Sequence, residues 1–447
     1  MASLGFYAAW NAWYLLLIVG VALVCWYAGR RIEQTDSERI KRRWIALAVS
    51  VCLVVLGVFK YFNFFSTSIS DGLNAIGIGA DPFLLNVLLP VGISFYSFQA
   101  LSYVIDVKRG SMPATRSFHD FLLYVSFFPQ LVAGPIERAT RLLPQIYLRQ
   151  TVTLVDIRAG VVRIMWGMFK KLVVADTLSI YVDAVYSDPA SQVGPALLFA
   201  TILFGIQIYC DFSAYSDIAI GSARLFGIHL MENFKSPYIA TSVTDFWRRW
   251  HISLSTWLRD YVYIPLGGNR TSRSRWYFNT LATFFLSGLW HGANWTFVVW
   301  GALHGAAIVI ERMIGWPTTG ADARGAARLL VLLRWLVTFS LVMCAWAFFR
   351  ADTLSDALAV FGGMGQGWSG LSVPTLMAGV AADRIFAGLG LFFIVFAVEA
   401  LWCERMDIGT RGAALPLAAR WAALLALLFG ILLFGTFGSD AFIYFQF

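Results

Sequence analysis

Two histidines lie in polar stretches of a chain that is otherwise strongly apolar, and imidazole is the side chain whose pKa best suits proton transfer near neutral pH. His251 stands in "FWRRWHISLSTWLRDYVYIPLGGNR" and His291 in "SGLWHGANWTFVVWGALHG". In a low-dielectric pocket the neutral imidazole is favoured, and it can take a proton from a hydroxyl and return it to a leaving group. These two residues are therefore the candidate catalytic groups.

Each histidine also has a plain structural interpretation. His291 could hydrogen-bond a neighbouring helix inside a membrane, and His251 could be an interfacial residue whose polar tip reaches water. His304 is expected to pack within a helix bundle, and His119 and His229 are expected in a loop or at a helix entry. The sequence therefore ranks His291 and His251 above the other three histidines.

Arginines beside His251 could bind an anionic donor. Arg248 and Arg249 lie inside an aromatic run, and the forked hydrogen bonds of a guanidinium group suit phosphates. The alternative is that they anchor a cytoplasmic loop, as is expected for Arg270, Arg273 and Arg275. Both interpretations remain open for Arg248 and Arg249.

Three further residues are tentative substrate contacts. Trp290 and Asn294 lie on either side of His291, and Asp211 lies in the apolar stretch "QIYCDFSAYSDIAIG". An ionisable group within a membrane segment is costly and usually lines a pathway or a site. The alternative for Asp211 is a hydrogen bond between helices that fixes the bundle.

The composition indicates a membrane protein. Of 447 residues, 59% are hydrophobic and 13% are charged, which is about half the charged fraction of a soluble domain. The net charge of +8 is expected to mark cytoplasmic loops rather than a nucleic-acid partner. Five scattered cysteines, Cys403 among them, have no metal-ligand spacing and predict neither a disulfide nor a metal site.

The apolar runs suited to spanning helices lie near residues 4–28, 44–65, 83–105, 159–182, 194–215, 276–290, 296–311, 334–349, 386–403 and 421–438.

Basic residues alternate between the loops, and this pattern predicts the orientation of the chain. Loop 29–43 holds six lysines and arginines, whereas loops 66–82 and 183–193 hold none. Basic residues return in the segments 106–158, 222–275, 312–333 and 404–420. The alternation places both termini outside the cell. The first apolar run lacks a basic segment before it, so we expect a retained span rather than a cleaved signal peptide.

Two apolar segments do not fit a simple span. Residues 119–136 are interrupted by two prolines and a glycine, and residues 244–266 are amphipathic. Irregular backbone at membrane depth must be satisfied by protein or by a water-filled cavity, so both segments are predicted to be re-entrant or interfacial.

A helix over 276–290 would rise about 22 Å, short of a hydrocarbon core of about 30 Å, and would end at His291 within the membrane. We therefore expect His251 and His291 to line one cavity, in a single domain over residues 1–447.

The motifs around the two histidines resemble those of the membrane-bound O-acyltransferase family, in its bacterial branch. The resemblance covers most of residues 83–355 and implies an all-α polytopic fold. In that fold a ring of about ten or eleven transmembrane helices, with re-entrant helices, surrounds a central tunnel. His291 matches the histidine of the family's Trp-His-Gly motif, and His251 matches a second polar position. The other matching stretches are "LLPVGISFYSFQALSYVIDVKRG", "FFPQLVAGPIER", "YCDFSAYSDIAIG", "MENFKSPYIATSVTDFW" and "FFRADTLSDA".

The resemblance also implies a reaction. An acetyl group would pass from a cytoplasmic thioester across the bacterial inner membrane, for O-acetylation of an extracellular polysaccharide such as alginate. Acetyl-CoA would be the donor substrate, no cofactor would be bound, and His291 would be the general base. The implied partners are membrane lipid, a periplasmic acetyltransferase similar to SGNH hydrolases, and polysaccharide-secretion machinery.

Three alternatives to acetyl transfer stay open, the first of them within the family that the motifs resemble. One is D-alanyl transfer to a cell-wall polymer, and another is a transporter in which the polar groups line a solute path. A third is a non-catalytic scaffold of a secretion complex. A transporter predicts inverted halves with matching broken helices, and the sequence shows no such repeat.

Overall fold

The computed structural model of the chain describes residues 2–148, 150–318, 328–402, 408–438 and 442–443. In these residues the backbone forms helices and turns without any β-strand, and Cys403 lies outside them. Seven helices of the described part are long and apolar enough to cross a membrane, namely Ala12–Glu33, Glu38–Ala75, Gly194–Arg224, Trp295–Met313, Arg328–Arg350, Ala382–Leu401 and Leu417–Phe434. The chain is therefore an all-helical, multi-pass membrane protein, as its composition predicts.

Backbone contacts divide the chain into two compact units, of which the first comprises residues 1–153 and 223–231. A π-helical turn, Gly57–Tyr61, joins its third and fourth helices. Its helices are α1 (Ala2–Trp10), α2 (Leu15–Glu33), α3 (Glu38–Leu56), α4 (Phe62–Ala75), α5 (Ile93–Lys108), α6 (Phe118–Ser126) and α7 (Ala139–Tyr147). The ring of about ten or eleven helices and the single domain stay predictions.

The apolar run at 83–105 is only partly helical, which corrects the predicted span. Residues 78–90 are extended or irregular, and α5 begins at Ile93. Pro90 lacks an N–H for a helix, and Gly92 adopts a left-handed conformation with φ 71°. A Cβ atom on Gly92 would lie 2.4 Å from the carbonyl oxygen of Leu131, so only glycine fits this turn.

The segment 119–136 is interrupted, in agreement with its prolines and glycine. Helix α6 begins after Ser117, whose Oγ accepts a hydrogen bond from the Asp120 N–H at 3.2 Å. The helix ends at Ser126, and residues 127–138 contain turns and no helix. At the end of this irregular stretch lies Glu137, a fully buried carboxyl group that accepts a hydrogen bond from the Met231 N–H.

The second unit comprises residues 154–222 and 232–447. Its first two helices, α8 (Leu154–Phe169) and α9 (Asp176–Tyr186), are continuous through a π-helical turn, Lys170–Ala175. The others are α10 (Gly194–Arg224), α11 (Val243–Arg249), α12 (Ile252–Leu258), α13 (Arg273–His291), α14 (Trp295–Met313), α15 (Arg328–Arg350), α16 (Leu354–Met364), α17 (Val373–Met377), α18 (Ala382–Ala397), α19 (Ile408–Ala413) and α20 (Leu417–Phe434).

Helices α13 and α14 form a tightly packed hairpin. A Cβ atom on Gly288 would lie 2.2 Å from the carbonyl oxygen of Phe297, and a Cβ atom on Gly301 would lie 2.3 Å from that of Phe284. Since both positions lack a side chain, the two backbones approach closely. This approach sets the position of His291, the last residue of α13.

Helix α13 is longer than the sequence predicts. It spans 19 residues rather than fifteen because Ser272 caps it, its Oγ accepting a hydrogen bond from the Arg275 N–H at 3.4 Å. Its length of about 28 Å is close to the thickness of a hydrocarbon core. The expectation that the helix ends midway through the membrane because it is short therefore loses its basis, although the helix does end at His291.

Candidate active site

The two candidate catalytic histidines lie side by side in the second unit. His251 is 0% exposed and His291 is 4% exposed. The centroids of their rings are 6.3 Å apart, and the ring planes meet at 61°. They come from different elements, since His291 ends α13 and His251 lies between α11 and α12. The structure thus brings together two residues that are forty positions apart in the sequence.

Aromatic rings surround His291. The ring of Trp300 lies 4.9 Å from it and that of Phe349 lies 5.3 Å from it, both in edge contacts. The next residue, Gly292, has no room for a side chain, because a Cβ atom there would lie 2.1 Å from the ring of Phe297. The imidazole therefore occupies a fixed place in a pocket of aromatic rings.

His251 adopts an unusual backbone conformation. Its φ of 42° and ψ of 53° are left-handed, which costs a non-glycine residue of order 1 kcal/mol or more. Its ring makes an edge contact with Phe212 at 4.6 Å. Burial lowers the pKa of His251 to about 3, so the imidazole is neutral at physiological pH.

Asn233 contacts His251 and is the residue that sequence reasoning missed. Its Oδ1 lies 3.1 Å from His251 Nδ1, and its side chain is buried. Asn233 lies within "MENFKSPYIATSVTDFW", but no spacing rule predicts a contact with a histidine eighteen positions later. Only the fold shows that this asparagine belongs to the site.

A large cavity of about 1030 Å³, here called the larger cavity, comes close to this pair. Neither histidine lines it, but Ile252, the residue after His251, and Ser287, one helical turn before His291, do. Its wall includes a polar stripe on α13, formed by Thr280, Thr283 and Ser287, which leads along the helix toward His291. The spacing of three and four residues places these side chains on one face of the helix. Four arginines also line the cavity, Arg248, Arg259, Arg273 and Arg312. Such a cavity suits a long ligand with an anionic end.

The structure gives the two arginines that the sequence paired different contacts. Arg248 lines the larger cavity, and its Nη1 donates to the carbonyl oxygen of Thr318 at 2.9 Å. Both arginines line a second cavity, but Arg249 is not among the residues that line the larger one, and its Nε lies 3.0 Å from the carboxylate of Asp245. Arg248 is therefore the better placed of the two to meet a ligand beside the histidines.

Of the tentative substrate contacts, Trp290 is nearest to the histidines, with its ring 4.9 Å from His291 and 5.7 Å from His251. Asn294 caps α14, since its side-chain oxygen accepts from the Thr296 N–H at 3.0 Å, and its Nδ2 donates to the carbonyl oxygen of Asp352 at 2.7 Å. These bonds give Asn294 a structural role.

Asp211 joins other parts of the second unit. Its carboxylate lies 2.7 Å from Lys171 Nζ and accepts from the Ile443 N–H at 2.9 Å. This pairing agrees with the alternative that Asp211 fixes the helix bundle. His304 packs as expected, stacked on Phe246 at 6.0 Å and in edge contact with Trp300 at 4.9 Å.

A second cavity of about 440 Å³, here called the smaller cavity, is lined by a network of buried charges. Lys170 Nζ lies 2.6 Å from Asp217 and 2.8 Å from Glu399. Arg163 lies 2.9 Å from Asp217 and forms a forked pair with Glu232. These groups satisfy one another, as buried charges must. Asn233 also lines this cavity.

The sequence matches the family model of the membrane-bound O-acyltransferase family over residues 109–351. The probable alginate O-acetylase of Pseudomonas aeruginosa is 45% identical over 366 residues, covering 81% of this chain and 68% of that protein. The peptidoglycan O-acetyltransferase of Helicobacter pylori is 37% identical, covering 83% of this chain and 74% of that protein. The teichoic acid D-alanyltransferase of Bacillus subtilis is 29% identical, covering 49% of this chain and 58% of that protein.

Proposed function

Because this chain belongs to the membrane-bound O-acyltransferase family and is an O-acyltransferase, we propose that it moves an acetyl group from acetyl-CoA across the inner membrane. The acetyl group would serve the O-acetylation of an extracellular polysaccharide. The observation that carries this proposal is the pair of buried imidazoles, His251 and His291. A cavity large enough for a long donor extends to Ser287, one helical turn before His291.

His291 is the proposed general base. It takes the proton of the acceptor hydroxyl as the hydroxyl oxygen attacks the thioester carbonyl carbon. The tetrahedral intermediate then breaks its C–S bond, and the leaving thiolate receives the proton from the imidazolium form of His291. Atoms and charges balance, since the products are an O-acetyl ester and the free thiol. His251 assists this proton transfer or positions the donor.

The larger cavity is the proposed donor site. The phosphates of acetyl-CoA meet Arg248 and its three arginine neighbours, while the pantetheine arm follows the polar stripe on α13. Thr280 and His291 are eleven positions apart, which corresponds to about 16 Å along the helix. An arm of this length carries the thioester from the arginines to the imidazole.

The direction of transfer follows from the expected orientation of the chain. The arginines of the larger cavity belong to segments that are rich in basic residues and therefore cytoplasmic. The acceptor lies on the opposite side. It is either the polysaccharide itself or a hydroxyl of a periplasmic acetyltransferase similar to SGNH hydrolases, which works with the polysaccharide-secretion machinery.

The relatives favour an acetyl group over D-alanine. Those at 37–46% identity are named as alginate O-acetylases or a peptidoglycan O-acetyltransferase, whereas the D-alanyltransferases are 29–31% identical over about half of the chain. Alginate or a similar exopolysaccharide is therefore the proposed final acceptor.

The test is acetyl transfer by the purified protein in liposomes that contain labelled acetyl-CoA. We expect thioester turnover in the wild type and a loss on the order of 10² to 10⁴-fold in His291→Ala. His229→Ala is the matched control, because this histidine is exposed and outside the site. Solute uptake without thioester cleavage would point instead to a transporter. Full polysaccharide acetylation in cells with His291→Ala would point to a scaffold, and turnover of a D-alanyl carrier thioester alone to the D-alanyl branch.

A further inference from the structure

Two short backbone segments bring Asn233 against His251. The Lys235 N–H donates to the carbonyl oxygen of Arg249 at 2.9 Å, and the Ile252 N–H donates to the carbonyl oxygen of Asn233 at 3.0 Å. These bonds tie the residues around Asn233 to the left-handed turn at His251. The side chain of Asn233 is 1% exposed, and contacts with the surrounding protein hold its position.

The hydrogen bonds of Asn233 identify which side-chain atom is the oxygen. The Ser253 N–H lies 3.2 Å from Asn233 Oδ1, and a backbone N–H can only donate. At the other end, Asn233 Nδ2 donates to Ser216 Oγ on α10 at 3.2 Å. The Ser253 N–H therefore fixes the amide orientation, the Ser216 hydroxyl is compatible with it, and the atom that contacts His251 is an acceptor.

An acceptor at this place determines the tautomer of His251. Neutral imidazole has one N–H and one lone pair, and Nδ1 lies 3.1 Å from Asn233 Oδ1. In the other tautomer two lone pairs would face each other across this distance inside a buried site. Ser253 Oγ lies 3.4 Å from Nδ1, but it donates to Asn233 Oδ1 at the shorter distance of 2.9 Å. The Nδ1–H tautomer turns the contact into a hydrogen bond, so Nε2 carries the lone pair.

We propose that Asn233 is a positioning residue that holds His251 as the Nδ1–H tautomer, so that His251 acts through the lone pair of Nε2. This inference rests on the proposed participation of His251 in acyl transfer. The inference decides whether Nε2 of His251 accepts a proton or hydrogen bond during the reaction or donates one. A neutral His251 with a bare Nε2 accepts a proton or a hydrogen bond, and it does not donate one to the oxyanion of the tetrahedral intermediate.

The first readout is the tautomer itself, measured by solid-state NMR of the full chain in lipid with ¹⁵N-labelled histidine. The chain has five histidines, and His251→Gln assigns the signals of His251 by their disappearance. In the wild type we expect a protonated Nδ1 and a bare Nε2. The Asn233→Leu variant fills the space without supplying an acceptor. In it we expect the proton of His251 to lie on Nε2 instead of Nδ1. Asn233→Asp keeps an acceptor and should keep the proton on Nδ1.

The second readout is kinetic. We expect kcat to fall on the order of 10²-fold in Asn233→Leu with the KM for acetyl-CoA little changed, and to be restored to a large extent in Asn233→Asp. Asn279→Leu is the matched control for loss of a buried asparagine. Asn279 is 0% exposed and donates to the carbonyl oxygen of Gly268 at 3.1 Å. This variant should lower thermal stability and leave the ¹⁵N signals of His251 unchanged.

A bare Nδ1 in the wild type, or an unchanged tautomer in Asn233→Leu, would overturn the inference. So would a changed tautomer with full kcat, because Asn233 would then have no part in positioning for catalysis. A failure of the proposed function appears separately, as thioester turnover that persists in His291→Ala.

Discussion

Ser287 lies one helical turn before His291 on α13, and the two side chains share one face of the helix. Ser287 is 1% exposed and lines the larger cavity. Its hydroxyl has no hydrogen-bond partner among the described residues, whereas Thr283 donates to the carbonyl oxygen of Asn279 at 2.7 Å. A buried polar group without a partner is costly, so we expect the proposed donor to hydrogen-bond to this hydroxyl.

Removing this hydroxyl should weaken the use of the donor without weakening the fold. For Ser287→Ala we expect kcat/KM for acetyl-CoA to fall about two- to tenfold, the worth of one hydrogen bond, with an unchanged melting temperature. Ser126→Ala gives the opposite pattern, because Ser126 Oγ donates to the carbonyl oxygen of Leu122 at 2.7 Å, away from the site. Equal kinetics in Ser287→Ala and the wild type would show that the hydroxyl meets no substrate.

Arg248 should act on the phosphate end of the donor. For Arg248→Ala we expect the KM for acetyl-CoA to rise about tenfold or more, because a charge-assisted hydrogen bond is lost. Acetylpantetheine, which lacks the nucleotide phosphates, should be used equally well by the variant and the wild type. Arg249→Ala should leave the KM for both donors nearly unchanged, since Arg249 pairs with Asp245. Equal losses with the two donors in Arg248→Ala would contradict the assignment.

Gly288 should be irreplaceable because of the neighbouring backbone. A Cβ atom there would lie 2.2 Å from the carbonyl oxygen of Phe297, so Gly288→Ala must push α13 and α14 apart and shift His291. We expect a loss of about 1–3 kcal/mol in the free energy of unfolding, together with strongly reduced turnover. Gly390→Ala is the control, since nothing lies within 4 Å of a Cβ atom there. Thermal unfolding in detergent and turnover in liposomes measure both effects.

The sequence indicated the class of the fold and the two histidines, but not how the site is held. Apolar runs report which segments can enter a membrane, and the motifs drew attention to His251 and His291. Helix limits depended on caps and turns, so α13 began three residues before the predicted start and α5 began ten residues after it. The role of Asn233 was beyond prediction, since it arises from two backbone segments meeting in space.

Lys170 should be essential for stability because its charge is buried and shared by two carboxylates. It is 1% exposed and lies 2.6 Å from Asp217 and 2.8 Å from Glu399. Lys170→Met leaves Glu399 without its cationic partner and Asp217 with Arg163 alone, which should cost about 3–5 kcal/mol.

A second change distinguishes charge from packing in this network. The double variant with Lys170→Met and Glu399→Gln should recover part of the lost stability, as read from melting temperatures. Lys41→Met, which removes a surface pair with Glu38 at 3.3 Å, should cost at most about 1 kcal/mol. A double variant no more stable than Lys170→Met would show that the loss is one of packing.

Glu137 should make the stability of the protein depend on pH. Burial raises its pKa from 4.5 to about 7, while Arg141, with its Nε 3.8 Å away, and the Met231 N–H act in the other direction. The folded state therefore keeps this proton to a higher pH than the unfolded state does. The stability contributed by the protonated carboxyl is fully present below about pH 4.5 and is lost as the pH rises through about 7.

Glu137→Gln removes this titration while retaining an oxygen for the Met231 N–H. Between pH 5 and pH 8 we expect the free energy of unfolding of the wild type to fall relative to that of Glu137→Gln, on the order of a few kcal/mol. The melting temperature of the wild type should fall relative to that of the variant in the same range. Glu38→Gln is the control, because the Glu38 side chain is more than half exposed. Melting curves of the wild type and Glu137→Gln that stay parallel across this range would mean that Glu137 titrates alike in the folded and unfolded chain.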